Sequence, residues 1–274
     1  MPEGPEIKRA ADKIAKAIVD QPLESIFFAF EHFKPFEETL AEEKVTSVVP
    51  RGKALLTRFT NGLNIYSHNQ LYGVWYVRKA MSFPNTRRQL RLAIHTPKKS
   101  ALLYSASDIM VLNDDEVAAH PFLRKLGLDV LAEDTTPEQV RDRLLSKPFM
   151  RRSFSTLLLD QHCLCGLGNY LRSEILFLAR VHPNMRPVDC SDEQLDILSR
   201  EAIAVSIQSY QHNGITNNLE RAMELKAEGM RRNQYRHWVF ARANRPCYVC
   251  GTPILKDVFG GRRLYHCRVC QPSK

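Results

Sequence analysis

Two Cys-x2-Cys pairs near the end of the chain, Cys247/Cys250 and Cys267/Cys270, enclose sixteen residues. Each pair forms a knuckle that puts two thiolates on one side of a metal, and two knuckles complete a tetrahedral Zn²⁺ shell. A shell closed by four thiolates leaves no position for water or substrate, so one structural zinc is expected. A segment of about thirty residues buries little core, so the metal is expected to supply its folding energy. Between the knuckles lies Phe259-Gly260-Gly261-Arg262-Arg263. Its glycines permit a tight turn, and its arginines suit phosphate.

The surroundings of this finger are basic. The chain carries a formal charge of +9. Residues 220–274 hold 12 Lys/Arg against 4 Asp/Glu, a balance of +8, so nearly all the excess sits there. Concentrated positive charge favours a polyanion, most often nucleic acid, although a merely solvated surface reads the same by charge alone. The other cysteines, Cys163, Cys165 and Cys190, are expected to be reduced and structural. No apolar run is long enough for a membrane span. The start MPEGPEIKRA lacks the apolar stretch of a secretory signal, and a cytoplasmic, nucleoid-associated bacterial location is expected.

Upstream, the hydrophobic pattern changes period twice. Pro5 and the spacing of Ile7, Ala11, Ile14 and Ile18 predict a helix over 5–18. From 23 to 107, LESIFFAF, KVTSVV, ALLTRFT, LNIYSH, GVWYVR, RQLRLAIH and ALLYSAS read as strands. Asn61-Gly62 joins two of them, and the set predicts a β-sandwich. HPFLRKLGLDVLAED connects this region to helices. Thr136-Pro137-Glu138-Gln139 and Ser191-Asp192-Glu193-Gln194 cap two of these, and runs at 152–161 and 169–180 flank the turn CLCGLG. Backbone N–H groups before the helix at 169 can hold a phosphate, and Asn169 stands where a capping residue belongs. The expectation is therefore an α+β chain of two domains. A β-sandwich with a flanking helix spans 1–125. A helical domain follows at 126–220, and a basic region with the finger (247–270) occupies 221–274.

The N-terminus carries the sharpest chemistry. Removal of Met1 leaves Pro2 with a free secondary amine. An ordinary α-amino group titrates at about 7.7–8, so on the order of a tenth is neutral at pH 7, far more than for a lysine. Proline is intrinsically more basic, so burial or nearby charge must lower it. Such an amine can attack a sugar carbon and form an iminium. Glu3 and Glu6 sit at the start of the helix, where carboxylates also favour its dipole.

MPEGPEI, RGKALL, SHNQLYG, HPFL, LLLDQ…GLGNYLRSEIL and the terminal Cys-x2-Cys-x16-Cys-x2-Cys with Gly-Gly-Arg inside it, in that order, resemble the formamidopyrimidine-DNA glycosylase superfamily. The resemblance runs from the first residue to the last knuckle. It implies base-excision repair of damaged double-stranded DNA by a bifunctional glycosylase and abasic-site lyase; no small-molecule cofactor is expected, and a monomer is the default expectation. It makes the helical domain a helix–two-turns–helix element. It implies that Pro2 attacks C1′, that Glu3 donates the proton that opens the sugar, and that Glu6 supports them. Lys53 would contact phosphate and assist proton transfer. Gln70, Leu71 and Tyr72 would fill the hole left by an extruded base. Asn169 would bind phosphate, and Arg262, with Arg263 beside it, would grip phosphates from the finger turn. The phosphate-binding arginine after HPFL falls at Lys125, with Arg124 next to it, and lysine cannot make a bidentate grip. Residues 211–245 are longer than the resemblance leads one to expect, and a loop there could cover a flipped base. The start MPEG and the Gln-Leu-Tyr tip favour oxidised pyrimidines over the alternative of oxidised purines (8-oxoguanine, formamidopyrimidine). A non-catalytic DNA-binding zinc protein would share the basic C-terminus, but would need neither Pro2 nor Glu3. An RNA-binding or ribosome-associated zinc ribbon would explain the charge but not the N-terminus.

Overall fold

The computed structural model describes residues 2–273, so the expected loss of Met1 lies outside the described residues. The chain divides into two compact units, Met1–Lys125 and Leu126–Lys274.

The first unit opens with helix α1 (Gly4–Ile18), whose buried Ile7, Ala11, Ile14, Ala17 and Ile18 form one apolar stripe. Eight strands follow: β1 (Ser25–Phe28), β2 (Val45–Arg51), β3 (Ala54–Phe59), β4 (Asn64–His68), β5 (Val74–Lys79), β6 (Leu90–His95), β7 (Lys99–Tyr104) and β8 (Asp108–Leu112). They make two four-stranded antiparallel sheets, ordered β1-β6-β7-β5 and β2-β3-β4-β8. Alternating side chains from both sheets, such as Phe28, Leu92, Ile94 and Leu103 from one and Val48, Leu55 and Ile65 from the other, share a core with the α1 stripe. The expected sandwich with its flanking helix is therefore present. Elements not anticipated include β8, which completes the second sheet, and the six-residue helices α2 (Phe36–Ala41) and α3 (Asp114–Ala119). The acid-rich start of α3 hides a capping box, in which Asn113 accepts from Glu116 N–H at 2.8 Å.

The second unit is helical. A short parallel pair joins β9 (Leu128–Asp129) to β10 (Leu164–Cys165). Around it stand α4 (Pro137–Leu145), α5 (Phe154–Leu157), α6 (Asn169–Leu178) and α7 (Asp192–Gln211). Thr136 and Ser191 cap α4 and α7 through the boxes that the sequence predicts. The helical run over 152–161 is corrected to the single turn of α5. Beyond it, Asp160 bends the chain by accepting from His162 N–H at 2.9 Å. The 211–245 segment forms α8 (Leu219–Ala227) and α9 (Arg232–Tyr235). The finger hairpin, β11 (Leu255–Phe259) and β12 (Arg262–His266), packs against α6: Ile254, Cys247 and Cys267 bury with Phe177 and Val239. Cys163 and Cys165 are buried, and Cys190 is half-buried. No helix among the described residues is long and apolar enough to cross a membrane.

Candidate active site and nucleic-acid contacts

At the N-terminus, Glu3 occupies the cap position of α1 and is 4% exposed, while Pro2 before it is half-buried. Glu6 reaches back one turn to accept the Glu3 N–H at 3.0 Å, and its other oxygen receives Arg9 Nη2 at 2.8 Å. The Glu6 carboxylate thus ties the residue after Pro2 to the first turn of a buried helix. A reactive group next to such a tie is held without any ordering at the moment of reaction.

Lys53 lies in the two-residue turn between β2 and β3, where Arg51 pairs with Ala54. It is half-buried, and its charge reaches His68 at the end of β4. Burial lowers the His68 pKa; Asp108, 3.8 Å away on β8, opposes that shift, and Lys53 adds to it. His68 Nδ1 accepts the Gln70 N–H at 3.2 Å, so one imidazole stands beside Lys53 and at the root of the Gln70–Tyr72 tip. That link was missed in the sequence because Asp108 sits on the unanticipated β8. The HPFL segment backs this corner. His120 stacks on Tyr66 with centroids 4.7 Å apart, and Phe122 packs edge-on to His68. The tip itself is exposed, Leu71 by 58% and Tyr72 by 66%. Arg124 and Lys125, in a short 3-10 turn after HPFL, are both exposed.

In the second unit, Gly168 caps α6 and Asn169 is its first residue, which corrects the expected capping role. The Asn169 side chain instead accepts from Arg172 Nη2 at 3.3 Å. Arg172 is fully buried; the same Nη2 donates to the Arg263 carbonyl at 2.8 Å, and Nη1 donates to the Ser155 carbonyl. One buried guanidinium therefore joins α6, the Asn169 amide and the finger hairpin. Arg262 and Arg263 are exposed just after the hairpin turn, where Gly260 and Gly261 adopt φ of +55° and +75°. A Cβ on Gly260 would lie 2.9 Å from the Thr156 methyl, so the turn needs glycine both for its hand and for its seat on α5. The glycine turn before α6 is fastened by Gln161, whose amide nitrogen donates to the Leu159 and Leu167 carbonyls and whose oxygen receives Gly166 N–H at 3.0 Å.

Glu174, two residues beyond Arg172, is fully buried and clasps the 211–245 segment. Its oxygens accept the N–H groups of Trp238, Val239 and Phe240 at 2.8–2.9 Å and the Thr216 hydroxyl at 2.5 Å. Burial pushes its pKa up, against the pull of these donors. The Thr216 hydroxyl also lies 2.7 Å from His237 Nδ1, so it links Glu174 to that buried imidazole. Glu174→Ala would leave these donors without an acceptor. The denaturant midpoint is expected to show a loss of about 3 kcal/mol or more, and an unchanged midpoint would refute the clasp. Both Arg172 and Glu174 were legible as charges inside an otherwise apolar helix, NYLRSEILFL.

The four cysteine sulfurs lie within 4.8 Å of one another, with Cys250–Cys267 at 3.4 Å and Cys247–Cys270 at 3.8 Å. Tetrahedral metal–thiolate bonds of about 2.3 Å place sulfurs about 3.8 Å apart, so the set fits a metal ion. Burial, then the neighbouring sulfurs, pushes the Cys270 thiol up, a conflict that a bound dication removes by taking thiolates.

Comparison with known proteins adds the family. Residues 1–107 match the formamidopyrimidine-DNA glycosylase N-terminal domain, and residues 126–220 match the formamidopyrimidine-DNA glycosylase H2TH domain. Endonuclease 8 of Klebsiella pneumoniae subsp. pneumoniae is 45% identical over 271 residues, covering 99% of this chain and 100% of that protein. Endonuclease 8 of Salmonella arizonae is 46% identical with the same coverage. Among solved structures, Lactococcus lactis Fpg (MutM) in complex with DNA containing N7-benzyl-Fapy-dG superposes with a TM-score of 0.81 at 21% identity, over 99% of this chain and 100% of that one. The Lactococcus lactis Fpg complex with abasic-site DNA gives 0.80 over the same shares. At that identity the likeness to the solved structures concerns the fold alone.

Proposed function

Given that this chain belongs to the formamidopyrimidine-DNA glycosylase superfamily, among its endonuclease VIII members, we propose that it repairs oxidised pyrimidines with Pro2 as the nucleophile. The protein is a base-excision repair DNA glycosylase and abasic-site lyase. The observation that carries the residue assignment is the fixed start of α1, where Pro2 precedes a buried Glu3 whose backbone Glu6 holds.

The Pro2 nitrogen attacks C1′ as the bond from C1′ to the base breaks, and the base leaves with a proton. In the same event Glu3 donates a proton to the ring oxygen, which opens the sugar, helps the base to leave and gives an iminium between Pro2 and C1′. Loss of a proton from C2′ expels the 3′ phosphate, which is β-elimination. A second loss expels the 5′ phosphate, which is δ-elimination, and water then frees Pro2 from the sugar fragment. A one-nucleotide gap flanked by phosphates remains. A base inside a duplex hides its C1′, so the nucleotide must leave the stack, and Gln70, Leu71 and Tyr72 offset part of that cost of a few kcal/mol. Lys53, Asn169 and Arg262 hold phosphates, with Arg263 and either Arg124 or Lys125 as further contacts. The four cysteines hold one structural Zn²⁺, which fixes the finger hairpin and takes no part in the bond changes.

Excision from matched duplexes carrying thymine glycol or 8-oxoguanine tests the lesion class. Faster release of thymine glycol is expected, and the reverse order would move the assignment to oxidised purines. Affinity for DNA is expected to fall steeply with salt, by about 0.9 in the log–log slope for each phosphate neutralised. Arg262→Ala is expected to lower that slope by about one, and an unchanged slope would remove Arg262 from the phosphate contacts.

A further inference from the structure

The Gln70–Tyr72 tip is held more firmly than an exposed loop requires. Gly73 N–H donates to the Asn69 carbonyl at 2.7 Å, and a Cβ on Gly73 would come within 2.5 Å of that oxygen, so the turn closes only on glycine. On the near side, Gln70 takes a φ of +50°, gives its N–H to His68, and receives the Ser107 hydroxyl on its amide oxygen at 2.9 Å. On the far side, the Tyr72 carbonyl accepts from Arg88 Nη1. Arg88 ends the arm between β5 and β6, and no ion pair engages it among the described residues.

That arm is itself anchored. Ala80 N–H donates to the Lys98 carbonyl at 3.1 Å, and Met81 N–H to Ser100 Oγ at 3.0 Å. Phe83 packs edge-on to His95 with centroids 6.0 Å apart. Thr86 Oγ1 accepts the Arg88 N–H at 3.2 Å and turns the chain back toward β6. A guanidinium on a fastened arm thus holds the main chain of the tip at Tyr72.

We propose that Arg88 is a positioning residue that keeps the tip preformed for insertion into the duplex. The inference rests on reading Gln70, Leu71 and Tyr72 as the wedge. A tip already ordered in the free enzyme loses little freedom when it enters the stack, so base extrusion is the step that Arg88 accelerates. Contact to a main-chain carbonyl makes this role independent of the side chain at position 72.

The test compares wild type, Arg88→Ala and Arg88→Lys in single-turnover excision of thymine glycol from a duplex with 2-aminopurine beside the lesion. The same proteins are assayed for cleavage of a single-stranded abasic oligonucleotide, which needs no extrusion. Arg88→Ala is expected to slow duplex excision and the 2-aminopurine transient together, on the order of tenfold, the value of a hydrogen bond to a charged group. Arg88→Lys keeps one donor and is expected to restore most of the rate. Single-strand cleavage and the salt slope of binding are expected to match wild type. Equal slowing on both substrates, no slowing on the duplex, or a slope lower by about one, the mark of a phosphate contact, would each overturn the proposal. A wild type inert even on the abasic single strand would overturn the enzymatic reading beneath it.

Discussion

A protein carrying an N-terminal extension, so that residue 1 stays joined to Pro2, is expected to fold normally and to lose strand cleavage on the order of a thousandfold or more. The extension converts the Pro2 amine into an amide, whose nitrogen lone pair is delocalised and cannot attack C1′. Helix α1 begins at Gly4 with its own capping box, and Pro2 ahead of it is only half-buried, so the added residues are expected to disturb neither the helix nor the core. Borohydride trapping on a thymine-glycol duplex gives the direct readout, since reduction fixes the iminium as a covalent complex. The wild type is expected to trap and the extended form is not. Trapping by the extended form would move the nucleophile to another amine. Glu3→Gln separates the steps. It keeps the amine but lacks the proton, so excision is expected to fall on the order of a hundredfold, while trapping at a preformed abasic site persists. Equal loss on both substrates would mean that Glu3 acts after base removal.

Removing the metal is expected to have the other large effect, confined to the second unit. The finger buries few side chains: Ile254, Leu264, His266, Gln271 and two of its four cysteines, Cys247 and Cys267. Structural zinc sites contribute on the order of 10 kcal/mol, more than so small a hairpin can recover from packing. Chelation, or Cys267→Ser at a fully buried ligand, should melt the hairpin. That withdraws Arg262 and Arg263 and takes from Arg172 its bond to the Arg263 carbonyl. DNA affinity should collapse, and the sandwich of the first unit should keep its own unfolding transition. Full nicking activity after verified loss of the metal would refute a structural role for the finger.

Much of this was visible in the residues. The period of Ile7, Ala11, Ile14 and Ile18 reports a helix against a core, and that core is present. The cysteine spacing reports a cluster because the knuckle is a local turn. What sequence hid was contact at long range. β8 was invisible because DIMVL is short and opens on a polar residue, so Asp108 could not be placed beside His68. Asn169 was misread because Gly168, with no side chain to signal a cap, takes that position. Arg172 stands only three residues from Asn169, yet its bond to Arg263 crosses 91 positions of chain, and no local pattern encodes that.

The supports around the side chains proposed to meet DNA are built largely on main-chain atoms. Arg88 holds the Tyr72 carbonyl, Arg172 the Ser155 and Arg263 carbonyls, and Gln161 the Leu159 and Leu167 carbonyls. Every residue type offers the same carbonyl, so these braces are blind to what is mounted on them. Exchange of Leu71, Tyr72 or Arg263 is expected to leave these main-chain bonds in place. Such a frame is retoolable: on the proposed assignment, variation at the tip would shift which damage is accepted and leave the chemistry at Pro2 intact.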